Sequence, residues 1–351
     1  MWEGKDQHTQ IKDIGEIGLI ERLTEKFQLR QSSSLKGVGD DAAVIDHKHK
    51  KTLVATELFL EGVHFDLMYT PLHHLGYKCV VGAISDICAM NGYPSQICVS
   101  IGVSNKFTVD LLEEVYMGIR IACENYEIDL VGGDTSPSHH GLVISVTAMG
   151  YANKSSLIYR DGAKQNDLVC VTGDLGGAFM GLTLLEREKK VYMDQPTTQP
   201  KLEGYDYILK RQLRPEARTD MVKMFEDTKI KPSAMMDVSD GLSSEMLHIC
   251  NSSNKGCRIF ENRLPIDDNA KKQAVDFNLD PTMCVLNGGE DYELVFTLPQ
   301  QYYKQVENNP DITIVGHITE PADQCKLVTN SGNEYRLKAQ GWEMYENRRQ
   351  Q

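Results

Sequence analysis

The sequence predicts a mixed α+β protein of two domains, and three observations point there. The chain has 351 residues, enough for two domains of ordinary size. Apolar strand-like runs alternate with helix-like runs in both halves. In both halves, acids stand at the ends of apolar stretches beside Gly, Ser or Thr, where a chain end opens onto a cleft.

The elements follow in order. Residues 14–27 carry Ile14, Ile17, Ile20, Leu23 and Phe27 at helical spacing. "TLVATELFL" (52–60) reads as a strand. "HHLGYKCVVGAISDICAM" (73–90) reads as a helix whose small residues permit close packing. "SQICVSIGV" (95–103) is a strand and "TVDLLEEVYMGIRIACENY" (108–126) a helix. "IDLV" (128–131) is a short strand ending at Gly-Gly-Asp, and "GLVISVTAMGY" (141–151) a further strand. A boundary near 150 gives an N-terminal domain over 1–150 and a C-terminal domain over 151–351. The second half opens on polar sequence to about 166, then "LVCVTG" (168–173) as strand and "GGAFMGLTLLERE" (176–188) as helix. Residues 188–206 are polar and contain proline, which predicts a long exposed loop. Helices are expected at about 216–227 and 242–252, and strands near 234–237, 257–261, 292–297 and 312–318. No short-period repeat is present.

Composition narrows the function classes. The net charge is −13 and the isoelectric point near 5.3, which argues against nucleic-acid binding through a basic surface. No apolar run approaches the ~18 residues of a membrane span. The N-terminal "MWEGKDQHTQ" is polar and does not read as a signal peptide. The nine cysteines are odd in number, form no CxxC pair and mostly have apolar neighbours, so they read as reduced core residues of a cytoplasmic protein. Cys and His show no zinc-type clustering along the chain.

The acids carry the chemistry. Ten of the eleven residues from Val80 to Met90 are apolar or small, and the eleventh is Asp86. An ionised carboxylate in such surroundings is costly unless a partner or a cation stabilises it. "GVGDDAAVI" holds Asp40 and Asp41, "LVGGDTS" holds Asp134, "AMMDVSDGL" holds Asp237 and Asp240, and "NGGEDYELVF" holds Glu290 and Asp291. Singly, each has a structural alternative. Asp40-Asp41 can turn the chain, Asp134 can form an Asx turn, and Asp240 can cap the helix at 242–252. Converging, they repel one another and require cations, and carboxylates with phosphate oxygens make a Mg²⁺ environment. There is no P-loop. "GVGDDA" fits the dinucleotide fingerprint only formally, because no buried strand precedes it. "VCVTGDLGGAFMG" has the strand–turn–helix order of a phosphate-binding helix N-terminus.

Taken in order, "GVGDDAAV", "EGVHF", "SDICAM", "GGDT", "RDGAK", "TGDLGGA", "DVSDGL" and "GGEDYEL" resemble thiamine-monophosphate kinase, of the superfamily of aminoimidazole ribonucleotide synthetase and selenophosphate synthetase. The resemblance spans about residues 14 to 342. It implies the two-domain architecture of that superfamily, an N-terminal sheet pairing with a second subunit in a homodimer, and ATP with several Mg²⁺ ions in the interdomain cleft. The implied reaction passes the γ-phosphoryl of ATP to thiamine monophosphate, giving thiamine diphosphate. Neither nucleic acid nor membrane is implied as partner.

Residue by residue, the resemblance implies metal binding by Asp40, Thr56, Glu57, Asp86, Asp134, Asp237 and Asp240. It implies ATP contacts at Gly133, Asp134, Arg160 and Ser239, and substrate contacts at His64, Glu290 and Trp342. No residue is implied as a general base, since the attacking group is a phosphate oxygen. One triplet departs: Ala55-Thr56-Glu57 stands where the family reads Ser/Thr-Thr-Asp, so a hydroxyl is lost at Ala55 and the acid at Glu57 is one methylene longer. Two alternatives stand beside this reading. One is aminoimidazole ribonucleotide synthetase. The other is a non-catalytic acidic protein that binds divalent metal and a partner chain. Selenophosphate synthetase would want a Cys within 1–35, where this chain has none.

Overall fold

The computed structural model describes residues 34–36, 43–47, 49–104, 107–139 and 141–339; Asp40, Asp41, Trp342 and the expected helix at 14–27 lie outside them. Among the described residues two mixed sheets are present. The first holds β1 (Ser34–Lys36), β2 (Ala43–His47), β3 (Lys50–Leu60), β4 (Tyr93–Val103), β5 (Asp129–Pro137) and β6 (Val143–Ala152), in the order β1-β2-β3-β6-β4-β5. All its pairings are antiparallel except β4–β5. The second holds β7 (Leu168–Thr172), β8 (Ala234–Asp237), β9 (Gly256–Phe260), β10 (Leu294–Leu298), β11 (Ile312–Thr319), β12 (Cys325–Val328) and β13 (Glu334–Arg336), in the order β13-β12-β9-β11-β7-β10-β8. Only β9–β12 is parallel there.

The helix Leu72–Ala89 is the keystone. Every residue from Leu75 to Ala89 is buried except half-buried Asp86. A helix apolar all round is enclosed on all sides, and this one lies against β3, β4 and β6 of the first sheet and β8 of the second. Its last turn, Cys88 and Ala89, joins a core cluster with Cys170, Met221, Phe225, Leu294 and Phe296 from the second half. On its outer side packs the helix Val109–Tyr126. The two backbones meet at paired glycines: a Cβ on Gly76 would stand 2.0 Å from the Val115 carbonyl oxygen, and one on Gly118 would stand 1.8 Å from that of His73. Those small residues therefore set how deep the Asp86 helix sits.

Two expected ends move along the chain, and several short elements are additional. The β5 strand does not stop at Gly-Gly-Asp but runs through it to Pro137, because Gly132 to Pro137 pair in parallel with Cys98 to Val103. The helix Gly177–Asp194 continues past 188, so the exposed loop shortens to 195–205. Here Leu184, Leu185 and Glu188 are buried, and the Glu188 carboxylate accepts from Lys201 N at 2.8 Å, fastening the returning chain to the helix. The helices Asp206–Leu213, Asp268–Asp276 and Pro281–Asn287 and the strands β12 and β13 were not read from sequence. They are short, so hydrophobic periodicity hardly marks them.

Replacing Gly118 by Ala forces the helices apart against backbone, and overpacking of this kind costs about 1–3 kcal/mol. In urea the Gly118→Ala midpoint should fall with the slope unchanged. An unchanged midpoint would mean that the crossing has slack.

Candidate active site

A cleft of about 700 Å³ opens between the sheets, and its walls include Glu57, His64, Asp86, Asp237, Ser239, Asp240 and Glu290. Seven carboxylates line it (Glu57, Asp66, Asp86, Glu186, Asp237, Asp240, Glu290), against two lysines, Lys189 and Lys190. The four acids Glu57, Asp86, Asp237 and Asp240 come from a strand, a helix interior, a strand end and a loop, far apart in sequence.

Each is placed by local physics. The buried residues of β3 are Lys51, Leu53, Ala55 and Phe59, so the period of two turns Ala55 and Glu57 to the same side, with Glu57 in the cleft. Thr56 faces the opposite, exposed side, where its hydroxyl bonds that of Thr147 at 2.9 Å, so the structure does not bring its side chain together with that of Glu57. Asp237 ends β8, almost fully buried, and accepts from Ser85 Oγ at 2.7 Å. Burial raises its carboxyl above the usual range, while the Ser85 bond and the Arg160 charge oppose this. An all-oxygen donor set around a buried carboxylate suits a hard divalent cation.

The Ser239-Asp240 turn is held by a residue that sequence reasoning passed over. Glu245 Oε1 accepts from Ser239 N at 3.1 Å and Asp240 N at 2.8 Å. Its other oxygen is buried with no hydrogen-bond partner, and burial, then the Asp240 charge, raises its carboxyl well above normal. Asp240 is not the helix cap: the cap position is Gly241, and no side chain caps there. The signal for Glu245 was an acid in the first turn after Ser-Asp-Gly.

On the far wall, a Cβ on Gly289 would stand 2.2 Å from the Ser239 carbonyl oxygen, so only glycine lets the two loops touch. Glu290 follows at φ +65°. Its carboxylate accepts from buried Lys78 at 3.0 Å and Gln212 at 2.9 Å, and its N–H donates to Ser239 O at 2.8 Å. Lys78 comes from the same helix as Asp86, a second residue not read from sequence. His64 accepts from Leu60 N at its Nδ1 (3.1 Å), packs edge-on to Phe59, and is held below its ordinary pKa by burial. The ring is therefore neutral near pH 7, with its proton on Nε2.

Other expected residues stand elsewhere. Gly133 and Asp134 lie exposed on edge strand β5, three strand spacings (roughly 14 Å) from β3, and neither is among the cleft residues. Arg160 is also outside those walls, though its charge reaches Asp237. The phosphate-binding reading of "TGDLGGA" does not hold. The N-terminus of Gly177–Asp194 already has an anion, Asp291, which accepts from Gly176 N at 2.7 Å and Ala178 N at 3.2 Å. Asp291 is fully buried beside Arg211, which also pairs with Glu293 at 3.0 Å.

Burial pushes the Asp291 carboxyl up to about 6 against the pull of Arg211. An acid raised in the folded state holds its proton longer there than in the unfolded chain. This group therefore lowers stability as pH rises from about 4 to about 6, with no further change above. Stability curves of the parent and Asp291→Asn should differ in slope across that window. Parallel curves would show that Asp291 ionises normally.

Residues 39–152 match the family model for AIR synthase related protein, N-terminal domain. Thiamine-monophosphate kinase of Aquifex aeolicus (strain VF5) is 33% identical over 314 residues, covering 89% of this chain and 94% of that protein. The enzyme of that name from Bacillus subtilis (strain 168) is 32% identical over 335 residues, covering 94% and 99%. Among solved structures, AaThiL complexed with AMPPCP and TMP superposes with TM-score 0.81 at 30% identity, covering 97% of this chain and 100% of that one. Hydrogenase maturation protein HypE in complex with ATP shares the fold alone, at 17% identity, TM-score 0.68 and coverage of 94% and 98%. The order of motifs, the two-sheet fold and these relatives agree: the chain belongs to the thiamine-monophosphate kinase family.

Proposed function

We propose that the protein transfers the γ-phosphoryl group of ATP to the phosphate of thiamine monophosphate, giving thiamine diphosphate. The observation that carries this is the meeting of Glu57, Asp86, Asp237 and Asp240 with His64 and Glu290 in one cleft, in a family whose relative AaThiL was solved with AMPPCP and TMP. Mg²⁺ held by the four carboxylates would neutralise phosphate oxygens and bring two polyanions within reaction distance.

The chain's own residues bind and orient. Glu290, fixed by Lys78 and Gln212, is a fixed acceptor for the thiamine end. Neutral His64 offers Nε2–H to the substrate beside the Phe59 ring. The attacking phosphate oxygen is already largely deprotonated near pH 7, so no side chain is assigned as base. Arg160, Ser239, Gly133 and Asp134 remain the proposed ATP contacts, with Asp134 also a proposed metal ligand. Asp40 and Trp342 are proposed from the resemblance alone. Thr56 is likewise a metal ligand proposed from the resemblance alone, its hydroxyl being on the other face of the sheet.

The reading includes the domain division near residue 150, a cytoplasmic location and a homodimer. Its proposed interface is the outer face of the first sheet, where Leu58 and Tyr151 are exposed.

With ATP and Mg²⁺, purified protein should form thiamine diphosphate in a coupled assay, and formation should stop when Mg²⁺ is chelated. Asp86→Asn should lower turnover by about 10²–10³-fold, the scale of a lost electrostatic stabiliser. Without Mg²⁺ its melting temperature should be unchanged or higher, since a repelling charge is gone. A folded parent that binds neither substrate would end the assignment, and an active Asp86→Asn would remove that acid from the site.

The Ala55-Thr56-Glu57 departure gives a further test. Mg²⁺ demands near-octahedral geometry at about 2.0–2.1 Å. Glu57 carries its carboxylate one methylene further than Asp would, and Ala55, on the same side, offers no hydroxyl. The Ala55→Ser, Glu57→Asp double variant should therefore reach half-maximal activity at lower Mg²⁺ than the parent. Superimposable titrations would show that Glu57 contributes nothing to the metal requirement.

A further inference from the structure

Three of the cysteines that read as reduced core residues lie together. Cys250, Cys257 and Cys325 converge so that their sulfur atoms all lie within 4.8 Å of one another. All three are free and buried. The fold builds this trio deliberately enough to trace. Cys257 on β9 and Cys325 on β12 are register partners in the one parallel pairing of the second sheet, so their side chains emerge on the same face. The helix Leu242–Ser253 covers that face and brings Cys250 down in its last turn. The tight return to β9 is fixed by Lys255 N donating to Cys250 O at 2.8 Å. On the other side, Cys257 N donates to Gln324 O at 3.1 Å and Leu337 N to Cys325 O at 2.9 Å. The sequence hides the site because 67 residues separate the second and third cysteines.

We propose that these three cysteines form a trigonal thiolate site for a soft d¹⁰ cation of the Cu⁺ class. Metal–sulfur bonds of about 2.3 Å in a planar three-coordinate arrangement put the sulfurs about 4 Å apart, inside the observed spread. Soft thiolates select Cu⁺ and Zn²⁺ over harder ions. Structural Zn²⁺ takes four ligands, and among the described residues no fourth His, Cys, Asp or Glu joins the group. All three cysteines belong to the second apolar core, where Ile318 is the register partner of Cys257 and Met246, Ile249 and Leu327 are members of the same cluster. Hydrogen bonds from Cys250 and Cys257 favour the thiolate of Cys325, and the Arg336 charge adds to this. Each thiol that joins the coordination sphere releases its proton to solvent. The site is distinct from the phosphoryl-transfer cleft: the covering helix begins beside Asp240 and reaches the thiols only at its far end, about 15 Å away.

The test uses the full-length protein, reduced and anaerobic, titrated with Cu⁺ against bicinchoninate as competing chelator, and in parallel with Zn²⁺. One Cu⁺ per chain should be retained, the melting temperature should rise with loading, and X-ray absorption should show three sulfur neighbours. Cys257→Ser should weaken retention at least about tenfold, while Cys98→Ser, outside the trio, should not. Absence of retention, retention indifferent to Cys257→Ser, or a two-sulfur environment would overturn the proposal. So would Zn²⁺ held in preference with a fourth ligand. The absorption measurement on the parent decides the matter even if Cys257→Ser does not fold.

Discussion

Repulsion among carboxylates is the constraint on which the rest depends. Glu57, Asp86, Asp237 and Asp240 share one cleft, and like charges brought together push its walls apart. The scaffold resists this with close packing. Paired Gly76 and Gly118 seat the Asp86 helix, that helix is enclosed between two sheets, and Gly289 brings the Glu290 loop against Ser239. Ser85, one residue before Asp86, hydrogen-bonds Asp237 at the end of a strand of the second sheet. One helix thus carries an acid, a donor to a second acid, and Lys78, the cation that fixes Glu290.

Much of this was legible because the function demands unusual residues in unusual places. A single acid in an apolar run announces itself, and Asp86 lies in a helix interior facing the cleft. The long elements, Lys50–Leu60, Leu72–Ala89 and Val109–Tyr126, were legible through their periodicity. Face was harder to read than position. Thr56 and Glu57 are neighbours in sequence and opposite in space, and only the β3 period separates them. Asp240 had two readings, metal-site acid or helix cap, and it lines the cleft while Gly241 takes the cap position; Asp291, one residue after Glu290, occupies a helix start instead. Local sequence cannot distinguish these, because Asp serves both tasks and the choice depends on which helix end the fold brings near.

What stayed hidden is tertiary in origin. Lys78 and Gln212 act on Glu290 from 212 and 78 positions away, and the three thiols meet through a parallel strand pairing that spacing does not encode. Glu245 sits between. Its position after Ser-Asp-Gly was visible, but its grip on two backbone N–H groups depends on a turn whose shape the sequence does not state.

The cleft is not uniformly acidic in character, and this bears on how a substrate is oriented. Thiamine monophosphate has a cationic thiazolium and an anionic phosphate. On one wall the acids have lysine partners: Glu290 with Lys78, and Asp66 with Lys189 at 2.6 Å. The nearby His64 is kept uncharged by burial, so it adds no repulsion toward a cationic ring. On the other wall Asp237 takes its hydrogen bond from the neutral Ser85 hydroxyl, and the Arg160 charge reaches it. In the proposed reaction the lysine-paired wall would repel a phosphate least, while the wall of Glu57, Asp86, Asp237 and Asp240 would repel it until cations intervene. In the proposed reaction divalent metal and substrate binding would thus be linked by electrostatics, since the carboxylates that exclude a bare phosphate would attract the ions that admit it.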